Sequence, residues 1–234
     1  YFAPKDFVEE PSLNRSNAVQ YVEAECKAVR DAAGLLDITG FSRFEVSGDG
    51  VEDWLNKMFA TRLPKPGRAR LAVMLSPEGK LKGDLTLFNW GDGKYWIMGS
   101  YYLRQWHKRW FADHKGPNVM LHDLSDDNCG FSISGPNATK IIQTIQPDLD
   151  LSFMGCGTFD LGLLRCKVGR LSVTGELGYE IHCHANEHIA LRRMLLAAGA
   201  DHGLKEVGFN ALLSLRIEKS FGIWSAEFTQ GRTA

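Results

Sequence analysis

The 234-residue chain lacks an excess of charge of either sign: 27 Lys and Arg stand against 28 Asp and Glu, a net charge of −1. A duplex-binding surface shows as a basic excess, so nucleic acid is not expected as the main partner. No apolar run approaches the ~20 residues that span a bilayer, and no membrane partner is expected. There is no initiating Met and no signal-peptide core. The chain opens YFAPKDF and is expected to be processed or cut from something longer. Cysteine is sparse: Cys26, Cys129, Cys156, Cys166 and Cys183 are scattered, odd in number and without a Cys-x-x-Cys pair. Reduced thiols fit better than a disulfide framework, which implies the cytoplasm or, in a eukaryote, the mitochondrial matrix. A Walker loop, a Gly-x-Gly-x-x-Gly after a strand and a Gly-x-Ser-x-Gly elbow are all absent, which argues against P-loop, Rossmann and nucleophile-elbow chemistry. His182-Cys183-His184 with His188 has no acidic or Cys partner at a recognised ligand spacing, so no metal is expected.

What is present is an ordinary soluble composition, 44% hydrophobic and 24% charged. Residues 16–33 read as a helix capped by Ser16 and stopped by Gly34. FSRFEVSG reads as a strand, followed by a helix whose apolar face carries Val51, Trp54, Leu55, Met58 and Phe59. RARLAVML and KLKGDLTLFNW flank Ser76-Pro77-Glu78-Gly79, which predicts a hairpin closed by a type I turn. YYLRQWHKRW at 101–110 reads as an amphipathic helix with cation–π contacts, and residues 207–219 as a last helix.

One unit recurs. Phe44-Glu-Val-Ser47-Gly48 followed by a helix with Trp54 and Leu55 matches Phe131-Ser-Ile-Ser134-Gly135 followed by a helix with Ile141 and Ile142, 87 positions on. Tyr95-Trp96-Ile97 and Tyr179-Glu180-Ile181 then each close a strand before a further helix. The expected fold is α+β: two duplicated modules, each laying helices on an antiparallel sheet. The expected organisation is an N-terminal connector and helix over 1–40, a first module over 41–127, a second over 128–219, and a connector over 220–234.

The stretch RLSVTGELGYEIH, 170–182, alternates like a strand, and Gly175 and Gly178 strip side-chain bulk from around Glu176. Asp84 follows Gly83 in the same manner in the first module. If equivalent sheets face one another across a pseudo-dyad, both carboxylates meet one pocket. A carboxylate accepting two hydrogen bonds suits a flat heterocycle bearing N–H donors, such as a pterin or purine. The bland alternative is a turn or bulge with a solvated carboxylate.

In order, SPEGKLKGDLTLF, ISGPNATKII, RLSVTGELGYEIH and ALLSLRIEKSFGIW resemble the folate-binding aminomethyltransferase family. That family takes in the glycine-cleavage T-protein and the folate domains of dimethylglycine and sarcosine dehydrogenases. AVRDAAGLLDITGFSRFEVSG, LRIEKSFGIW and the opening YFAP resemble the dehydrogenase branch more. The resemblance implies tetrahydrofolate as cofactor, with FAD only if an N-terminal flavin domain belongs to the protein, in cis or as a separate chain. It implies a small-molecule amine or methyl donor as partner. It implies Asp84 as the catalytic aspartate, Glu176 as the carboxylate that holds the pterin, Tyr95 and Leu71 as folate-lining residues, and Arg216 as a basic residue near the folate. Where T-proteins carry two adjacent acids, Gly83 replaces the first. The family also continues for about another hundred residues into a β-barrel, so a fragment, or a pocket completed by another chain, is expected. The implied activity is tetrahydrofolate-dependent one-carbon (aminomethyl or methylene) transfer. An S- or O-demethylase on the same fold and a non-catalytic folate-binding or regulatory domain are the alternatives.

Overall fold

The structure is a computed structural model that describes residues 7–10, 13–224 and 226–228. The opening YFAP and the end of the connector, 229–234, lie outside the described residues.

Helix α1 (Val19–Asp31) leads into strand β1 (Ala33–Asp37). The first module then runs β2 (Ser42–Ser47), α2 (Val51–Met58), β3 (Arg68–Leu75), β4 (Leu81–Asn89), β5 (Tyr95–Gly99), α3 (Arg104–His114) and β6 (Met120–Asp123). The second runs β7 (Asn128–Ser134), α4 (Ala138–Ile145), β8 (Cys156–Leu161), β9 (Leu164–Gly169), β10 (Gly178–His184), α5 (His188–Gly199) and β11 (Leu204–Glu206), and α6 (Phe209–Glu218) follows.

The two sheets share a strand order. One is β3-β4-β5-β2-β6 and the other β8-β9-β10-β7-β1-β11. The hairpin, returning strand and opening strand of each module thus occupy equivalent places, and every one of those pairings is antiparallel. Val51 and Ala138, which open α2 and α4, are 87 positions apart, whereas Tyr95 and Tyr179 are 84 apart. The hairpin turns explain the change. Residues 76–80 join β3 to β4, but only 162–163 join β8 to β9, three fewer.

Periodicity explains the helices. The α2 face of Val51, Trp54, Leu55 and Met58 is buried, as is the α4 face of Ala138, Ile141 and Ile142. Each packs on its own sheet, one core around Phe44, Leu85, Leu87 and Phe111, the other around Phe131, Ile133, Tyr179 and Ile181. A further cluster joins the modules sheet to sheet, with Phe88, Trp90, Trp96 and Met98 against Cys156 and Leu171. No helix among the described residues is long and apolar enough to cross a membrane. All five cysteines are free.

Three local expectations need correction. Gly34 does not stop α1; it lies inside β1, which pairs with β7, so part of the expected connector 1–40 belongs to the second sheet. The chain leaves helical geometry earlier, at Ala32, because the strand-pairing groups of Ala33–Asp37 are claimed by β7 and β11. In the 101–110 segment, Arg104 makes no cation–π contact among the described residues. Its guanidinium donates to Asp123 and to both oxygens of Asp126, a geometry that a fork of N–H donors satisfies better than a ring face. Third, residues 220–224 and 226–228, within the connector expected over 220–234, fold back on α6, as the site makes clear.

Candidate functional site

The turn Ser76–Lys80 sets the register of the hairpin. The Gly79 N–H donates to the Ser76 carbonyl at 2.9 Å, with Gly79 at φ 77°. On β4 the side chains then alternate. Gly83, Leu85 and Leu87 face the helices, and Asp84, Thr86 and Phe88 take the opposite face. Directly paired residues share a face, so Val73 (opposite Asp84) and Leu71 (opposite Thr86) lie on that side as well. At Phe88 this face is sealed by the second module, but toward Asp84 it opens: Leu71 is 68% exposed and Val73 39%. Gly83 leaves room for α3, since a Cβ there would press on His107 Nε2 at 2.9 Å. That contact gives a physical reason for glycine at position 83.

Asp84 is half-buried. Its Oδ2 accepts the backbone N–H of Trp224 at 2.9 Å. Burial raises its pKa above the ordinary carboxylate value, while the Trp224 N–H and the charge of Arg216 pull the other way. Arg216 is buried on the last turns of α6, and Nη1 and Nη2 donate to the two oxygens of Glu227 at 3.0 and 3.1 Å. The chain after α6 folds back rather than extending. Ser220 adopts a left-handed φ of 58°, and the Lys219 and Phe221 N–H groups both return to the Arg216 carbonyl.

Glu176 is not on a strand. It sits in the turn that precedes β10, after Gly175 at φ 74°. Its N–H donates to Thr174 Oγ1, and the hydroxyls of Ser134, Ser172 and Thr174 are joined in a chain at 2.8 and 2.6 Å. This hydroxyl chain gives the backbone a local alternative to strand pairing, which is why the alternation of 171–177 does not become a strand. The Glu176 carboxylate is half-exposed and meets Lys219 Nζ at 3.1 Å.

The end of α6 therefore serves both carboxylates, Arg216 toward Asp84 and Lys219 toward Glu176. Leu71 shares the open face with Asp84. Tyr95 does not join them. It is buried in the helix-side core of the first module, and its hydroxyl donates to Glu52 of α2 at 2.6 Å. The period of two along β5 puts Tyr95 with Ile97, away from the site. Trp224, Glu227 and Lys219 are the residues that sequence reasoning missed. Their only signal is the opposite charge of Arg216 and Glu227 eleven positions apart, which does not reveal a chain reversal. His182 is buried between the sheets, whereas His184 meets Asn186 and His188 meets Asp37.

The mitochondrial dimethylglycine dehydrogenase of Mus musculus is 27% identical to the chain over 235 residues, covering 97% of the chain and 27% of that protein. The aminomethyltransferase of Desulforamulus reducens is 29% identical over 218 residues, covering 90% of the chain and 60% of that protein. The chain thus spans between about a quarter and three-fifths of these relatives. The crystal structure of the glycine cleavage system aminomethyltransferase T from Bartonella henselae shares the fold, with a TM-score of 0.80 at 23% identity over 91% of the chain and 58% of that structure. The family described as GCVT N-terminal domain matches residues 1–234, and the chain belongs to that family.

Proposed function

We propose that the chain is the folate-binding part of a tetrahydrofolate-dependent one-carbon transferase, on the dimethylglycine and sarcosine dehydrogenase-like side of its family. The observation that carries this is Asp84: a half-buried carboxyl on an otherwise open strand face, held by one fixed N–H. The residues suit a pterin. Glu176 offers a carboxylate whose Oε1 already meets Lys219 and whose other oxygen can accept a heterocycle N–H, and Leu71 and Val73 leave an apolar wall uncovered next to Asp84.

Tetrahydrofolate, when bound, supplies the nitrogen that takes up the one-carbon unit. Asp84 would accept the proton that nitrogen loses and stabilise cationic character at the donor. Its raised pKa brings proton uptake and release closer to neutral pH. Glu176 would orient the heterocycle. Arg216 would act on Asp84 rather than on folate directly, because Glu227 and the Phe221 carbonyl already take its Nη donors. The donor would be a small N-methylated amine, oxidised by a flavin domain in cis or on a separate chain. A matrix location is consistent with the mitochondrial relatives.

Asp84→Asn tests this. We expect an intact fold, nearly unchanged folate affinity, and transfer turnover reduced by roughly 10²–10⁴-fold. Turnover equal to the unaltered protein would remove Asp84 from the mechanism.

A further inference from the structure

The reversal after α6 converges on a single carboxylate. Glu227 accepts two donors from Arg216, and its Oε2 also accepts the Ile223 N–H at 2.9 Å. The N–H groups of Ala226, Glu227 and Phe228 return to the Ile223 carbonyl, closing a single tight turn. The next amide along from Ile223, that of Trp224, is the one that donates to Asp84. The Trp224 indole is wedged against Trp106 and His107 of α3.

Arg216 is buried, and its charge acts on Asp84 without a direct hydrogen bond to it. A guanidinium presents a rigid fork and seeks a carboxylate that can accept two donors. Two carboxylates are within its field, Asp84 and Glu227. Glu227 holds it by two hydrogen bonds, and Asp84 is left with a neutral amide donor.

We infer that Glu227 is a positioning residue for Asp84: it aims the Trp224 N–H at that carboxylate and, by occupying Arg216, keeps the guanidinium from pairing with it. This rests on the proposed role of Asp84 in proton transfer. The same pairing also keeps Asp84 from being locked as a permanent anion, since an Arg in direct contact lowers a carboxyl pKa by about 1–3 units. Among the described residues, the charges that act on Asp84 include Arg216 on α6 and Glu227 on the returning chain; Lys82 lies two positions away on the same face of β4, and the titratable His107 of α3 packs under Gly83 and against the Trp224 ring.

Glu227→Gln separates the two parts of the role. The amide oxygen can still accept the Ile223 N–H, so the backbone turn is kept, but the charge that holds Arg216 is gone. The readout is the Trp224 backbone amide, followed by nitrogen-15 NMR of the chain from pH 3 to pH 8. In the unaltered protein this amide should shift as Asp84 titrates, and in Asp84→Asn the shift should vanish. In Glu227→Gln the midpoint should fall by about one pH unit as Arg216 turns to Asp84. If that variant does not fold, Glu227→Asp keeps the charge but is too short for the two-point pair, and the midpoint should fall by less. A midpoint unmoved in the variant that folds, or a Trp224 amide indifferent to Asp84, overturns the inference. Full transfer turnover in Asp84→Asn, alongside the expected amide shifts, would instead overturn the proposed function and leave the positioning of Asp84 intact.

Discussion

Glu176 and Tyr95 show how far one residue can be understood from its neighbours. Glu176 meets Lys219, but both side chains remain partly in water, at 27% and 42% exposure. Such a pair contributes on the order of 0–1 kcal/mol. Glu176→Gln should therefore leave stability almost unchanged while turning one acceptor oxygen into a donor that opposes a pterin N–H. Folate affinity is expected to fall at least about tenfold, or ~1.4 kcal/mol. Unchanged binding by calorimetry would mean that Glu176 is a turn residue and nothing more. Tyr95 makes the opposite case. Its hydroxyl is spent on Glu52 inside the first module. Tyr95→Phe should cost about 1 kcal/mol of stability and leave folate affinity where it was, with thermal melts and titration read side by side.

At the scale of elements, the Ser-Gly that ends β2 and β7 is the hinge of each module. Gly48 has φ 101° and Gly135 φ 131°, in the region that disfavours side chains. Neither has space for one. A Cβ on Gly48 would run into the Asn118 carbonyl, and one on Gly135 would lie 2.5 Å from the Val29 carbonyl oxygen. The repeat is thus a physical requirement, since strand must give way to helix within a few residues under a neighbouring backbone. Gly135→Ala is expected to destabilise by ~2 kcal/mol or more, from backbone strain alone before the clash is added. A urea midpoint within error of the unaltered protein would contradict this. The Ser-Gly repeat was legible in the sequence because glycine is the one residue the geometry admits. The turn at 170–177 was not, because Leu171, Val173 and Leu177 alternate as a strand does while the hydroxyls of Ser172 and Thr174 bind the local backbone instead.

At the scale of the whole molecule, the modules meet around a buried polar group. Arg43 of β2 is fully buried and donates to the carbonyls of Ile38, Thr39 and Phe41. It also points two nitrogens at His182 Nδ1, each at 3.4 Å. Arginine only donates, so Nδ1 is the accepting nitrogen and the His182 proton sits on Nε2, 3.7 Å from the Glu180 carboxylate. Burial pushes the Glu180 carboxyl up to about 7, only partly opposed by Arg43. The folded state therefore holds a proton that the unfolded chain, at 4.5, has already released. The stability from Glu180 is complete below pH 4.5 and is lost as pH rises through about 7. Burial holds His182 well below 6.5, so its contribution runs the other way, present above that pH and lost below it. Glu180→Gln removes the first of these. Relative to the Gln variant, the unaltered protein should lose stability between pH 5 and pH 7.5 in urea titrations. Parallel pH dependences in the two proteins would show that Glu180 keeps its proton affinity on unfolding, against this account.

The sequence by itself determined most of the elements and their duplication: apolar periods of two and of 3.6 and turn residues are local properties, each satisfied within about ten residues. It also carried the resemblance that singles out Asp84, because short motifs in order survive where overall identity is low. Only the tertiary structure decided that β1 crosses into the second sheet, that Tyr95 faces the helix-side core, and that Arg216 is bound to Glu227 rather than open to a ligand. Those outcomes depend on which backbone groups find partners and which charges are brought together after the chain reverses at Ser220. Both are settled by contacts between segments far apart in sequence, as the bond from the Trp224 N–H to Asp84 across 140 residues is.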